Sequence, residues 1–370
     1  MFRVTTFGES HGPGLGCIID GCPAGLPLDR AALQLQLTRR RPGQNKLVTP
    51  RNEADEVEIL SGLDIDSDRT LGTPIAMLVR NADQRSRSYE DWHHIYRPSH
   101  ADFGYDAKYG LRAWQGGGRS SARETIGRVA AGALAEQVLQ ARFPELRLTA
   151  WVDSVHAHVC PEDLDPQTVT RELIDQHPTR CPDAATATAI EDAILTAKKK
   201  GDSLGGTVRL FIEGVPPGLG EPVFDKLDAL LAQAMLSLPA CKGVEFGSGF
   251  AGAQVHSGLS HNDPYQWQDD QMTTTTNRSG GIQGGISNGM PIDLRAVFKP
   301  TATVLKPQNS ADNAGNNVDL QAKGRHDPCV LPRAVVIVEA MAALVLADCL
   351  LQQRGHNSDP WPGLNGPLQK

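Results

Sequence analysis

An excess of positive charge is missing. The 370-residue chain carries a net charge of −7, so neither a nucleic-acid surface nor an anionic membrane is its natural partner. Paired cysteines are missing too: the seven at positions 17, 22, 160, 181, 241, 329 and 349 form no Cys-x-x-Cys. Such an odd, scattered set, with no apolar signal core in residues 1–6, is expected to stay as reduced thiols in a cytoplasmic protein. The longest apolar run, 334–347, is interrupted by Glu339, reads as too short to span a bilayer, and is expected to be a buried helix. No metal is expected: His93-His94 with His100 has no recognised ligand spacing, and His156-x-His158-x-Cys160 falls on a strand pattern with one polar face. The glycine stretch at 116–118 is neither a Walker loop, since no Gly-Lys-Ser/Thr follows, nor the dinucleotide G-x-G-x-x-G, since Ser121 sits where the last Gly is required. Aromatics are scarce at 5%, while 37 glycines and 25 prolines imply many turns and close backbone approaches.

What is present begins with Gln115-Gly116-Gly117-Gly118-Arg119-Ser120-Ser121-Ala122-Arg123-Glu124. Ser121 and Glu124 match a capping box, and Ile126, Val129, Ala130, Ala133, Leu134, Val138 and Ala141 recur at helical spacing. A helix with one buried face is therefore expected over about 122–142. A glycine loop feeding a helix start exposes unpaired N–H groups and the positive end of a dipole, and Arg119, Arg123 and Arg128 add charge. Five residues apart, Arg123 and Arg128 are not expected to share a helix face. From spacing alone the stretch is either an anion site or a flexible turn before a capped helix.

Two turn patterns repeat. Ile19-Asp20-Gly21-Cys22-Pro23-Ala24-Gly25-Leu26 parallels Ile212-Glu213-Gly214-Val215-Pro216-Pro217-Gly218-Leu219. Each follows an apolar strand and precedes a helix, at about 30–40 and 225–238. Gly72-Thr73-Pro74-Ile75 is echoed by Gly289-Met290-Pro291-Ile292, each opening a strand. The shared order predicts one domain over 1–354, in pseudo-repeated halves of roughly 1–200 and 201–354, followed by a flexible tail over 355–370; convergent Gly-Pro turn chemistry is the alternative. Residues 256–279 read as a mobile surface loop or lid, and 280–289 as a second glycine loop.

Four loops gather polar and cationic side chains: 8–14 with Ser10 and His11, 39–51 with Arg40, Lys46 and Arg51, 116–128, and 325–327. Lys299-Pro300-Thr301-Ala302-Thr303 adds donors. Arginine clusters in an acidic chain suit a small, multiply anionic ligand, because the guanidinium fork matches carboxylate and phosphate. Proton-transfer candidates are few: His11, His100 and Asp327. A Ser10 nucleophile activated by His11 is a weak reading, because sequence neighbours rarely face each other productively. Taken singly, His11 also reads as a loop histidine satisfied by backbone, and Asp327 as a helix cap before Pro328.

Three segments together resemble the signatures of the chorismate synthase family: Gly8-Glu9-Ser10-His11-Gly12; Gly118-Arg119-Ser120-Ser121-Ala122-Arg123-Glu124-Thr125 with Arg128-Val129-Ala130-Ala131-Gly132; and Arg325-His326-Asp327-Pro328-Cys329. They occur in the family's order, and the resemblance runs from Phe2 to about Arg354. It implies an α+β fold, a β-α-β-α layered sandwich of two pseudo-repeated halves, assembled as a homotetramer. It implies the anti-1,4-elimination of phosphate from 5-enolpyruvylshikimate 3-phosphate to give chorismate, the last common step of the shikimate pathway to aromatic amino acids. The family uses reduced FMN with no net redox change, and NADPH only as a reductant. The C6 hydrogen has no adjacent carbonyl to acidify it, so a His or Asp of ordinary pKa does not remove it unaided. The electron-rich cofactor carries that step while the protein binds, orients and excludes water.

The resemblance also assigns residues. His11 matches the proton donor to the departing phosphate. His100, in Pro98-Ser99-His100-Ala101-Asp102, matches the group assisting protonation of the reduced flavin, and Asp327 the carboxylate beside it. Ser10, Arg40, Lys46, Arg128 and Arg325 match substrate-binding positions; Arg40 and Lys46 also match a nicotinamide-nucleotide contact. Arg119, Ser120, Ser121, Pro239, Ala240, Gly284, Lys299, Pro300, Thr301, Ala302, Thr303 and Arg325 match flavin-contacting positions. Two residues depart from the pattern. Lys46 stands where Arg is more usual, losing the bidentate fork, and Pro239 stands where some members have Asn, losing a side-chain donor and an N–H. The competing classes are a non-catalytic phosphometabolite or flavin sensor, expected to have lost one of His11, His100 and Asp327, and a phosphotransferase, for which neither glycine loop has the Walker arrangement.

Overall fold

A computed structural model describes residues 1–49, 51, 53–83, 90–322 and 326–356. Arg325 and the tail beyond 356 lie outside the described residues. The chain opens with β1 (Arg3–Gly8), β2 (Gly14–Asp20), α1 (Arg30–Arg40), β3 (Val57–Ile59) and β4 (Ile75–Arg80). These strands form an antiparallel sheet in the order β1-β2-β4-β3. Then come α2 (Asp102–Tyr109), α3 (Thr125–Arg142), β5 (Arg147–Val155), β6 (His158–Val159), α4 (Arg171–Asp175), α5 (Ala184–Lys199), β7 (Gly206–Glu213), α6 (Leu227–Leu236) and β8 (Cys241–Phe246). Two short helices, α7 (Gly249–Val255) and α8 (Gly258–His261), precede β9 (Tyr265–Gln268), β10 (Gln271–Thr274), β11 (Ile282–Gln283), β12 (Ile286–Ser287) and β13 (Ile292–Phe298). The second sheet runs β6-β5-β7-β13-β8. β14 (Gln308–Ala311), β15 (Asn317–Leu320) and α9 (Leu331–His356) complete the described chain.

The layers follow from the apolar faces. α3 packs on the first sheet and on α9, α9 packs on β5 and β7 of the second sheet, and α1 and α6 flank α9. Leu15, Ile75, Leu134, Leu210 and Val335, drawn from both sheets and both central helices, belong to one buried cluster. α9 is longer than the 334–347 run, at 26 residues. By length and apolar content it is long enough to cross a bilayer, but 72% of its apolar stretch is buried inside the fold. β5 is buried along most of its length instead of showing one polar face. Its Asp153 is satisfied inside, by Thr207 Oγ1 at 3.1 Å and Arg295 Nε at 3.4 Å.

The repeated turns carry the same hydrogen bonds. Gly25 N donates to Thr70 O, Leu26 N to Thr70 Oγ1, Thr70 N to Leu26 O, and Thr70 Oγ1 to Pro23 O. In the second copy Gly218 N donates to Ser287 O, Leu219 N to Ser287 Oγ, Ser287 N to Leu219 O, and Ser287 Oγ to Pro216 O. The strands that follow also correspond: Ile19 pairs with Ile75, and Ile212 with Ile292.

Two expectations are corrected. Residues 256–279, expected as a surface loop or lid, carry regular structure at the surface: α8 and the β9–β10 hairpin, with Trp267 opposite Met272. The capping box is only half made. Ser121 Oγ accepts from Arg123 N at 3.3 Å, while the Glu124 carboxylate turns to Thr6 Oγ1 and Arg128. Two 3₁₀ turns, Gly118–Ser120 and Ala122–Glu124, precede the α-helix, which starts at Thr125. The start of the first strand is tied to the last helix: Phe2 N donates to Asp348 Oδ1 at 2.6 Å.

Candidate active site

One cavity of about 580 Å³ lies where the 8–14 loop, the glycine stretch, the loops after α6 and β13, and the segment before α9 converge. His11, His100 and Asp327 all line it. The triglycine explains how the two histidines fit. Gly116 and Gly117 have φ of +65° and +86°, a region that L side chains rarely adopt. A Cβ on Gly116 would sit 2.2 Å from His11 Cε1, and one on Gly117 would sit 3.0 Å from His100 Cε1. The glycines therefore let a backbone turn press against both imidazoles. Three amides of the stretch are already spent: Ser120 N and Ser121 N on Gly117 O and Gly118 O, and Glu124 N on Ser121 O. Cationic side chains around the stretch add positive potential.

Each proton-handling group is held by a partner. Ser10, 1% exposed, places its Oγ 3.0 Å from His11 Nδ1, so these sequence neighbours do face each other. His100 Nδ1 lies 2.9 Å from Asp102 Oδ1. Burial lowers the His100 pKa, Arg97 and Lys299 add to the effect, and Asp102 opposes it. Burial also works against the Asp102 charge, but the Arg97 fork and the His100 ring outweigh it and hold that carboxyl far below its usual range. Asp327 Oδ1 accepts from Thr49 N at 2.8 Å, and Oδ2 from Arg333 Nη1 at 2.6 Å. α9 begins at Leu331, so Asp327 is a cavity residue, not the helix cap its place before Pro328 allowed.

A chain of buried ion pairs makes the floor. Arg40, 0% exposed, donates from Nη1 to Asp55 Oδ2 at 2.8 Å and from Nε to Thr125 Oγ1 at 3.1 Å. Arg123 reaches Asp55 Oδ1 at 3.0 Å and Glu53 at 3.4 Å, and Arg51 holds Glu53 at 2.6 Å. Burial pulls the Arg40 pKa down, Asp55 opposes, and the nearby Arg333 and Arg123 add to the lowering. On the wall, Glu124 joins Arg128 at 2.9 Å and Arg119 at 3.2 Å. Arg123 and Arg128 both line the cavity, because the 3₁₀ turn at Arg123 breaks the helical spacing that would have separated them. Across the cavity stand Pro239, Ala240, Lys299, Thr301, Ala302 and Thr303, with Arg119, Ser120 and Ser121 on the near side. Lys299 Nζ donates to Ser99 O at 3.1 Å; burial lowers its pKa, and Lys242 adds to this.

Four assigned residues do not line the cavity, and the first, Ser10, is buried behind His11. Lys46 is 62% exposed and pairs with Glu191 at 2.5 Å on α5. It does not line the cavity that Arg40 lines. Gly284 turns the β11–β12 hairpin away from the cavity lining, and Pro300 is exposed beside it. Arg325 lies outside the described residues. Conversely, Arg97, Asp102, Asp55 and Arg333 were missed as functional residues. Only the His100-Ala101-Asp102 spacing offered a local sign.

An α+β scaffold with this many guanidiniums around two histidines and a carboxylate defines an enzyme for a small, multiply anionic ligand. A sequence model of the family described as chorismate synthase matches residues 2–351. Chorismate synthases of Akkermansia muciniphila and of a Synechocystis species are similar, 55% identical over 354 residues and 56% over 353. These alignments cover 96% and 95% of this chain and 97% and 96% of the relatives. A crystal structure of a chorismate synthase superposes with a TM-score of 0.76 at 33% identity, over 96% of this chain and 93% of that one. The chain belongs to the chorismate synthase family, and it is an enzyme of that type, a lyase of aromatic amino acid biosynthesis.

Proposed function

We propose that the cavity eliminates phosphate from 5-enolpyruvylshikimate 3-phosphate to form chorismate, with reduced FMN bound beside the substrate. The observation that carries this reading is the convergence of His11, His100 and Asp327 with the cationic floor on one cavity of about 580 Å³, a volume in the range of small-molecule sites. The residues present fit a flavin nucleotide. Thr301 Oγ1 is buried on the lining without a partner, a polar atom that a ligand would satisfy. Lys299, Thr303, Ala240, Arg119, Ser120 and Ser121 would hold the cofactor. When bound, reduced FMN supplies the electron density that lets a non-acidic C–H be broken.

The remaining work belongs to side chains. Arg40, Arg123, Arg128 and Arg51 would grip the carboxylates and phosphate of the substrate. His11, held by Ser10, would protonate the departing phosphate. Asp327, fixed by Thr49 N and Arg333, would move the proton that leaves the ring, and His100 would handle the proton of the cofactor. NADPH enters this reading only as a source of reducing equivalents.

The reading extends to one catalytic domain over 1–354 working in the cytoplasm as a homotetramer. Support for self-association comes from large apolar side chains left exposed between α7 and β10: Phe250 at 74%, Leu259 at 92% and Trp267 at 56%. The deciding experiment is anaerobic. Protein, chemically reduced FMN and the enolpyruvyl substrate are mixed, and inorganic phosphate and a conjugated-diene absorbance are followed together. Stoichiometric appearance of both is expected; neither appearing would defeat the assignment.

A further inference from the structure

We propose that Asp102 is a positioning residue that sets the tautomer of His100, so that the ring presents a bare Nε2 to the cavity, free to take up a proton and pass it on. The inference rests on the reading of the cavity given above and assigns how one of its histidines is made ready. Asp102 opens α2 and is 4% exposed. Its Oδ2 accepts from Arg97 N at 3.0 Å and Arg97 Nε at 2.8 Å; its Oδ1 accepts from Arg97 Nη2 at 2.7 Å and faces His100 Nδ1 at 2.9 Å. Arg112 Nε stands 4.0 Å from the same Oδ1. Arg97 is itself held in place, lying over the Trp92 ring at 5.6 Å.

A carboxylate between two guanidiniums stays ionised, and an ionised carboxylate only accepts. The His100 nitrogen facing it must therefore carry the hydrogen. A neutral imidazole has a single N–H, so Nε2 is left as a lone pair. The Cε1–Nε2 edge lies against Gly117, where a Cβ would come within 3.3 Å of Nε2; the missing side chain leaves that edge open to the cavity. Burial, Arg97 and Lys299 all favour the neutral ring at rest. When a proton arrives at Nε2, the Asp102 charge steadies the imidazolium from the far side, as a buried carboxylate does behind a catalytic histidine.

Asp102→Asn tests this without changing shape. The amide oxygen is expected to keep the position that accepts from Arg97 N and Nε, which gives up the Arg97 Nη2 bond, turns the NH₂ toward His100 Nδ1 and forces the hydrogen onto Nε2. Nitrogen NMR of ¹⁵N-histidine-labelled full-length protein reads the tautomer directly: Nδ1–H in the parent, Nε2–H in Asp102→Asn. In anaerobic turnover kcat is expected to fall by roughly 10²-fold, the low end for a lost acid–base group, with KM within about threefold. In a His100→Ala background the Asn change should cost no further activity. An Nε2–H tautomer in the parent protein overturns the proposal, and so does an equal loss of kcat with and without His100, which would mark a purely structural tie. The parent tautomer is read without substrate or cofactor. It therefore stays decisive if Asp102→Asn misfolds, and it is separate from whether the parent turns over at all.

Discussion

Arg39 and Arg40 are neighbours on the last turn of α1, both buried, and they serve opposite clusters. Arg39 faces inward to Glu339 at 2.7 Å and Asp175 at 2.6 Å, in a network with Arg171, Arg180 and Glu136. Arg40 faces the cavity floor and Asp55. Among the described residues the inner network balances three guanidiniums (39, 171, 180) against three carboxylates (136, 175, 339). Among the described residues the ion pairs around the cavity set seven guanidiniums (40, 51, 97, 119, 123, 128, 333) against five carboxylates (53, 55, 102, 124, 327). Identical chemistry therefore does two jobs. A balanced buried set holds elements in register, whereas a set with surplus cations beside an open volume leaves positive potential for a ligand.

The strongest way to break this contrast is at its balanced side. Glu339→Gln leaves Arg39 and Arg171 facing each other in the interior, and unfolding free energy is expected to drop by about 3 kcal/mol. The folded fraction should keep its KM within about twofold; urea unfolding and steady-state kinetics check both. Acid sharpens the test. Burial raises the Glu339 pKa, but Arg171 and Arg39 outweigh it and hold the carboxyl below its ordinary value. Its contribution is therefore fully present above the unfolded pKa, about 4.3, and is lost as pH falls through the lower folded value. The gap between parent and variant should narrow only in that acid range. A gap that stays constant with pH, or a large rise in KM, would mean that the inner network belongs to the site.

Next in size is the surplus side. Arg128→Met should raise KM for the anionic substrate by roughly 10- to 100-fold, the value of one or two charge-assisted hydrogen bonds. Unfolding free energy should change little, since Glu124 keeps Thr6 and Arg119. An unchanged KM would remove Arg128 from the binding set. The smallest expected effect is Lys46→Ala. Its pair with Glu191 is a surface pair, so stability should move by less than about 0.5 kcal/mol and KM by less than about twofold. A larger KM change would show that Lys46 swings into the cavity when substrate binds.

Much of this was legible from local pattern. The capped helices, the apolar α9, the strands around both Gly-Pro turns and the three signature loops all announce themselves within windows of ten to thirty residues, where periodicity and turn chemistry operate. What was not legible depends on partners far along the chain. Nothing near Gly116 says that His11 will press against it, and nothing in Arg39-Arg40 says which guanidinium meets Glu339 and which meets Asp55. Asp55 and Arg333 escaped notice because an isolated charged residue carries no signal until its partner is placed. The 256–279 stretch misled in the other direction. Its threonines and polar residues read as loose, yet Thr276 Oγ1 and the Arg278 and Ser279 amides all bond Asp263, which ties the hairpin base.

The contact between the first strand and the last helix has a consequence for folding. Thr49 N must find Asp327, and Phe2 N must find Asp348, so the cavity closes only when segments 278 residues apart have met. A chain cut short before Asp327 cannot form it, because that wall and the α9 packed behind it are missing. Pairing at such sequence separations is slow, and the apolar surface awaiting α9 stays uncovered until that helix docks. Ligand capture is thereby confined to molecules in which β1 and α9 have already come together.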